Sequence, residues 1–428
     1  RVCLMPKPEY KIPPRSLDTQ VIYKDEPSVL TGPVAEDKKN VRVVGHSDLN
    51  GWGDTFQIQV RDGLAYVAAS GANGHNGLTI VDVSDPTKPK VVNQIEDHPG
   101  ARTHKILMVG DMLYTNCELR PGEEPPPDVI PGMKIFELSD PTNPRQVGHV
   151  EADGRGIHRP IHDKDRGLLY CSAFKDGCHG KVLSTFDVKD PSAPELLSQC
   201  WIEGQNEGAG ETPSWDFEKL GWGVWLHEAN PFGNYVTCGF WNGGIAMFDM
   251  TDPRNPEFMW RHNPHETHGW PGCYHTFLVP PGSEFAIVAT ECVTMNCAHP
   301  PAFVTFYDMR NPMVPLPISS FHPYEIDPES MRPVDPYWSQ LGARYGAHNV
   351  WLDMKADDLM YICWYGAGLR IADWSDPFKP KEVGHYIPAG DSERWLTQSN
   401  DVFVDTQTGL IYLGDRWGLG LFILEYTG

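Results

Sequence analysis

One pattern recurs along the chain and limits what it can fold into: a β-rich apolar run, an acid, two residues, Asp-Pro, two residues, then Pro. It reads Ile80-Val81-Asp82 leading to Asp85-Pro86 and Pro89, and returns at Phe136-Glu137 with Asp140-Pro141 and Pro144. Asp187 precedes Asp190-Pro191 and Pro194, Asp249 precedes Asp252-Pro253 and Pro256, and Asp308 precedes Asn311-Pro312 and Pro315. The sixth copy is Asp373 with Asp376-Pro377 and Pro380. Successive first prolines lie 55, 50, 62, 59 and 65 residues apart, the size of four short strands plus loops. Pro lacks the N–H a ladder needs, so Asp-Pro ends one strand and fixes the turn into the next.

A seventh unit starts near Asn400 and stops at Ile423-Leu424-Glu425, before its Asp-Pro turn. The missing fourth strand has a counterpart near the other end: Val41-Arg42-Val43-Val44-Gly45-His46 is similar to Lys381-Glu382-Val383-Gly384-His385. An early strand completing the last unit closes the ring and removes the exposed sheet edge. The expectation is an all-β, seven-bladed β-propeller of four-stranded antiparallel blades over residues 41–428, preceded by an N-terminal arm over 1–40. With the third-strand run Leu78-Thr79-Ile80-Val81-Asp82, the repeat resembles the LVIVD-repeat family of bacterial β-propellers. That resemblance implies the fold; it fixes no activity.

The formal net charge is −22, which repels phosphate backbones and anionic bilayers, and no apolar run reaches the roughly 18 residues of a membrane helix. The reading is therefore no nucleic-acid partner and no membrane, with an oligomer left open. The ten cysteines form no CxxC pair. Cys171, Cys238 and Cys363 fall in strand-like runs as small buried hydrophobes, whereas Cys292 and Cys297 lie close enough to pair or stay reduced. This favours a reducing, cytoplasmic setting; a chain that starts at Arg1 leaves a removed signal segment open.

Aligning the units on their first strand brings histidines into one register. His104 follows Arg102-Thr103, His158 follows Gly156-Ile157, His227 follows Trp225-Leu226, His275 follows Cys273-Tyr274 and His348 follows Gly346-Ala347. Blade one has Asp54-Thr55-Phe56 there, and blade seven Ser399-Asn400-Asp401. First strands line a propeller's channel, so equivalent residues form a ring about one axis. A single channel histidine more often bonds a neighbouring carbonyl. Five of seven in one register point instead to a divalent transition metal. Strand alternation turns Glu228 away from His227.

Second strands return to the same face and bring Glu118, Lys175, Glu291 and Asp415-Arg416 near the ring. A carboxylate beside a ligating histidine fixes its tautomer. Glu118, Glu291, Asp401 and Arg416 are the candidate catalytic residues; the plain alternative for each acid is a salt bridge with Arg102, Arg159 or Arg344. Long connections (203–225, 261–273, 322–346, 388–398) carry Trp215, Trp222, Trp225, Trp270, Tyr337, Trp338 and Trp395, a lid suited to an apolar or aromatic small-molecule substrate. His262, His265 and His268 read as solvated loop residues rather than a second metal cluster.

No GxSxG elbow, phosphate-binding loop, dinucleotide fingerprint or HExxH helix is present. The functional expectation is a metal-dependent oxidoreductase or oxygenase on the propeller axis. The alternatives are a zinc hydrolase or lyase at the same site and a non-catalytic propeller that binds a protein. Carotenoid-cleaving oxygenases and selenium-binding-type thiol oxidases are architectural analogies with channel histidines; on that analogy iron or copper is favoured over zinc.

Overall fold

In the computed structural model the described residues are 32–71, 74–120, 126–213, 223–263, 273–293, 302–326, 333–334, 344–391 and 395–428. They form seven antiparallel blades with almost no helix, only the 3-10 turns Leu49–Gly51 and Glu207–Ala209. No helix among them is long and apolar enough to cross a membrane. Blade one is typical: Thr55–Arg61, Leu64–Ser70, Asn76–Asp82 and Lys90–Glu96 pair in chain order from the axis outward. Its third strand is buried along almost its whole length, whereas its outermost strand carries exposed lysine and glutamate ends.

The last blade closes as the sequence implies. Val41–Ser47 pairs antiparallel with Gly420–Tyr426, outside Leu410–Asp415 and Ser399–Val404. Within the N-terminal arm, Asp37–Lys39 adds a short edge strand to blade six beside Lys381–Ile387. Residues 1–31 lie outside the described residues.

The repeated acids do more than end a strand. In each Asp-Pro turn the Asp, or Asn311, accepts the backbone N–H two residues on, as Asp85 does from Thr87, Asp190 from Ser192 and Asp376 from Phe378. The earlier acid of the motif repeats the device, with Asp82 accepting from Ser84 and Asp249 from Thr251. These are Asx turns, which give the chain a local partner where the ladder stops.

The motif proline also clasps the preceding blade through its carbonyl. Tyr66 donates to Pro141 (2.8 Å), Tyr114 to Pro191 (2.6 Å), Ser198 to Pro253 (2.7 Å), Trp260 to Pro312 (2.8 Å) and Ser319 to Pro377 (2.5 Å). At the closure no side chain fits: a Cβ on Gly45 would fall 2.0 Å from the Pro86 carbonyl oxygen. Between blades the faces interdigitate. Leu168, Tyr170 and Leu183 of blade three pack with Leu226, Ala229 and Val236, and Ile58, Val67 and Val81 of blade one pack with Tyr412, Leu421 and Ile423 of blade seven. Each such large side chain contributes about 1.5–3 kcal/mol by burial. Cys171, Cys238 and Cys363 are buried thiols in these layers, as expected; Cys297 lies outside the described residues.

Gly45 makes the closure testable. Gly45→Val should overpack it by about 2 kcal/mol or more and lower the thermal unfolding midpoint by several degrees. Arg42→Ala, at an exposed position of the same strand, should stay within about 0.5 kcal/mol of the parent. Equal midpoints for Gly45→Val and the parent protein would show that this strand does not seal the ring.

Candidate functional site on the propeller axis

The innermost strands share an irregularity that builds the site. Pairing skips one residue between Thr55 and Gln57, Ile157 and Arg159, Tyr274 and Thr276, and Ser399 and Asp401. In blade six both His348 and Asn349 bond Cys363, through His348 N–H to the Cys363 carbonyl and Cys363 N–H to the Asn349 carbonyl. In blade two the Asn116 side-chain oxygen accepts from the N–H of both His104 and Lys105. In blade four the His227 N–H reaches the Gly239 carbonyl, which Glu228 also faces. A bulge sets two residues against one and re-aims side chains, so two successive residues of each inner strand are buried at the axis.

The first of each pair forms a seven-membered ring. Phe56 meets His104 edge-on at 5.6 Å, and successive imidazole centroids from His104 through His158, His227 and His275 to His348 lie 5.0, 4.8, 3.7 and 4.7 Å apart. His348 Nδ1 bonds the Asn400 carbonyl at 2.8 Å, and Asn400 Nδ2 donates to the Phe56 carbonyl at 2.6 Å. All five histidines of the sequence register are thus brought together, none more than 7% exposed. In blade seven the register position belongs to Asn400; Asp401 sits one layer down.

That deeper layer contains Gln57, Lys105, Arg159, Glu228, Thr276, Asn349 and Asp401, all buried. Arg159 Nε pairs with Glu228 at 3.0 Å, and Arg159 Nη1 donates to Asn349 at 2.8 Å, from blade three to blade six. Glu228 therefore does not turn away from the axis as strict alternation implies; the bulge overrides alternation. Arg159 belongs to this layer, where its carboxylate partner is Glu228. Burial, then nearby Arg159, lowers the Lys105 pKa, and burial raises that of Asp401.

On the other side of the ring, Glu118 and Glu291 approach the imidazoles. Glu118 Oε2 lies 2.8 Å from His158 Nδ1 and 3.6 Å from His104 Nε2. Glu291 Oε1 lies 3.7 Å from His348 Nε2 and accepts from Tyr365 Oη at 2.7 Å. Both also make salt bridges weighed from sequence, Glu118 with Arg102 (3.7 Å) and Glu291 with Arg344 (3.1 Å), and Glu118 adds one that was not, with Arg155 (3.1 Å). Burial alone would raise the Glu118 pKa, but Arg102, Lys181, His104 and Arg155 together hold it below its usual value. Arg416 lies over the Phe56 ring at 4.3 Å, with burial and Arg344 pulling its pKa down to about 10. Asp415 instead caps a turn, accepting from Gln398, Trp417 and Leu419 N–H groups, and Lys175 bonds Gln199.

Two groups offer a metal three ligand atoms within 4.8 Å of one another: His104, Glu118 and His158, and His227, His275 and Glu291. They meet where His158 Nε2 and His227 Nε2 stand 3.1 Å apart. Two nitrogens each about 2.0–2.1 Å from one ion lie at roughly such a separation. His104 Nε2, His227 Nδ1 and His275 Nε2 are buried with no hydrogen-bond partner among the described residues. Burial pushes all five imidazole pKa values well below 6.5, so the rings are neutral, the form a metal requires. The donor set therefore fits a transition metal.

Several neighbours escaped the sequence reading. Trp241 stacks on His227 at 6.0 Å and Tyr365 on His348 at 4.5 Å, and both hold left-handed backbone, with φ of 33° and 44°. Non-glycine residues in that region are strained and concentrate at functional sites. The related segments Phe240-Trp241-Asn242-Gly243-Gly244 and Trp364-Tyr365-Gly366-Ala367-Gly368, each an aromatic pair followed by glycine, carry the signal that could have found them. Of the lid residues, Trp225 stacks on Trp241 at 5.5 Å, and Gly180 admits it closely, since a Cβ there would lie 1.8 Å from the indole. Trp395 is exposed, and so is His262, which ends the strand Glu257–His262 rather than lying in a loop and sits edge-on to the buried Tyr307. Trp215, Trp222, Trp270, Tyr337, Trp338, His265 and His268 lie outside the described residues.

Comparison with known proteins agrees with this architecture. The chain is similar in fold to a structure named as a putative 6-phosphogluconolactonase from Bacteroides fragilis, at 10% identity and TM-score 0.53, covering 82% of this chain and 86% of that one. It is also similar to Raptor from Chaetomium thermophilum, at 9% identity and TM-score 0.57, covering 93% of this chain but only 30% of that one. At such identities the likeness concerns the fold alone. No curated protein matches by sequence. The model of the LVIVD repeat matches residues 52–97, the blade that contains Leu78–Asp82.

Proposed function

We propose that the chain is a metal-dependent enzyme with its active centre on the propeller axis, an oxidoreductase or oxygenase acting on a small molecule with an apolar or aromatic body. The observation that carries this reading is the pair of donor groups, each two neutral imidazoles and one carboxylate gathered from two adjacent blades. Two histidines and one carboxylate with open positions is the donor set of non-haem iron oxygenases. A bound redox-active ion supplies electron transfer to or from substrate.

The protein's own residues supply the rest. The Asn400 carbonyl accepts from His348 Nδ1–H and so fixes its tautomer, and Glu118 is the carboxylate that stands with His104 and His158. Tyr365 holds Glu291 in place. Burial of the imidazole ring keeps bulk water away from it. Zinc, with the same donors, supports the hydrolase or lyase reading.

Metal analysis of the purified protein should give at least one bound equivalent, and the visible and electron spin resonance spectra should identify iron or copper. A silent spectrum with bound zinc would move the assignment to hydrolysis or elimination, and a metal-free protein would favour the interaction scaffold. His158→Ala and His227→Ala should each lose the ion while the ring stays folded, and Glu118→Gln should weaken retention about 10–100-fold. Full occupancy in both histidine variants would refute this ligand set.

The depressed imidazole pKa values also set a pH response for the metal-free protein. Below about 6.5 the unfolded chain takes up protons that the folded ring refuses, so stability falls as pH drops. Each such histidine contributes up to about 1.4 kcal/mol per pH unit. The unfolding midpoint of the metal-free protein should fall steeply from pH 6.5 to pH 5, with a shallower slope in His227→Ala. A flat midpoint over that interval would mean the rings are not held neutral.

A further inference from the structure

The layer on the Glu118 and Glu291 side of the imidazoles is out of charge balance. Arg102, Arg155, Lys181, Arg344 and Arg416 outnumber the carboxylates beside them, which are Glu118, Glu291 and, next to Arg102 and Arg416, the buried Asp54. This positive centre lies inside a chain of net charge −22. The excess is sharpest at Lys181, which opens the third strand of blade three and is 2% exposed. Its ammonium makes no ion pair or hydrogen bond among the described residues. It rests over the faces of Trp241 at 5.2 Å and Trp225 at 5.7 Å. Its largest attractive partner is Glu118, which is already engaged by Arg102 and Arg155.

Three of the four neighbouring cations also have an aromatic face: Arg155 on Phe174 (5.2 Å), Arg344 on Tyr365 (5.5 Å) and Arg416 on Phe56 (4.3 Å). Aromatic faces make a buried cation tolerable but leave its charge uncompensated. A desolvated ammonium with no counter-ion is costly, and a metal on the imidazoles would raise that cost. What completes the site is an anion.

We propose that the substrate is an organic acid whose carboxylate is held by Lys181 together with Arg155 and Arg102, with its apolar body against the Trp225–Trp241 wall. Calling this ligand the substrate rests on the metal-centre reading; the anion site itself rests on the unpartnered Lys181 and the charge around it. Arg102, Arg155 and Lys181 all act on Glu118 electrostatically, and guanidinium and ammonium groups match a carboxylate in charge and donor geometry. The Trp241 ring stacks on both His227 and Trp225, so the anchor stands one indole away from the imidazole ring.

Benzoate and its uncharged analogue benzamide are suitable probes, because Trp225 and Trp241 report on Lys181 through tryptophan emission. Benzoate should change the emission saturably, and benzamide at the same concentrations should not. Lys181→Met should weaken benzoate binding roughly 10–100-fold, the loss of a charge-assisted bond. Should that variant fail to fold, Arg155→Gln must show the same direction of change. Identical responses to the two probes, no response to benzoate, or unchanged benzoate affinity in the folded variants would overturn the proposal. Metal content in the same samples separates the two readings. A metal-free protein that still discriminates benzoate loses the enzyme assignment and keeps the anion site. A metal-loaded protein that does not discriminate loses the anion site alone.

Discussion

The arrangement at the axis depends on a break in regular pairing where the inner strands begin, an extra residue inserted opposite its neighbour in blades one, three, five and seven. Without it, a strand alternates, and a histidine at the channel would be followed by a residue buried between blades. With it, His158 and Arg159, or His348 and Asn349, both end at the centre. The ring therefore has two decks: imidazoles on one, and on the other an ionic plug in which Arg159 joins Glu228 and Asn349. The plug blocks the channel and supports the imidazoles from beneath.

The electrostatic consequence is that protons are kept off the imidazoles. Cations lie on both sides, Lys105 and Arg159 beneath and Arg102 and Lys181 above, and each disfavours a protonated ring. Burial acts in the same direction and is the larger effect. Glu118 and Glu291 oppose it only partly, because their charge is shared with Arg102, Arg155 and Arg344. The same groups that exclude protons leave lone pairs facing the centre, an arrangement useful for holding a metal and wasteful for a scaffold.

The fold was legible because its signals are local and repeated. Asx turns, Pro ends and apolar third strands are short-range physics, and six copies fix the period. The histidines were legible for the same reason, since one register was sampled in seven blades. What stayed hidden depends on departures from regularity. The bulge shifts Asp401 below the ring and brings Glu228 onto the axis, and no residue type announces it. Arg155 and Lys181 reach the site from positions just before the inner strand or at the head of a third strand, which the first- and second-strand alignment did not search. Glu118 was found, but its simultaneous contacts with His158, Arg102 and Arg155 required three blade segments placed in space.

The Asp-Pro motif connects these levels. Its proline carbonyl takes a side-chain hydrogen bond from the preceding blade, so the turn that ends one sheet also sets its angle to its neighbour. Seven wedges held at fixed angles make the distance between equivalent residues a property of the ring and not of any one loop. That is why five imidazoles from five blades meet with centroid spacings of 3.7–5.0 Å although their entry loops differ in length. A metal or substrate site placed there inherits the rigidity of the rim, and the loops above it are free to vary the chemistry they admit.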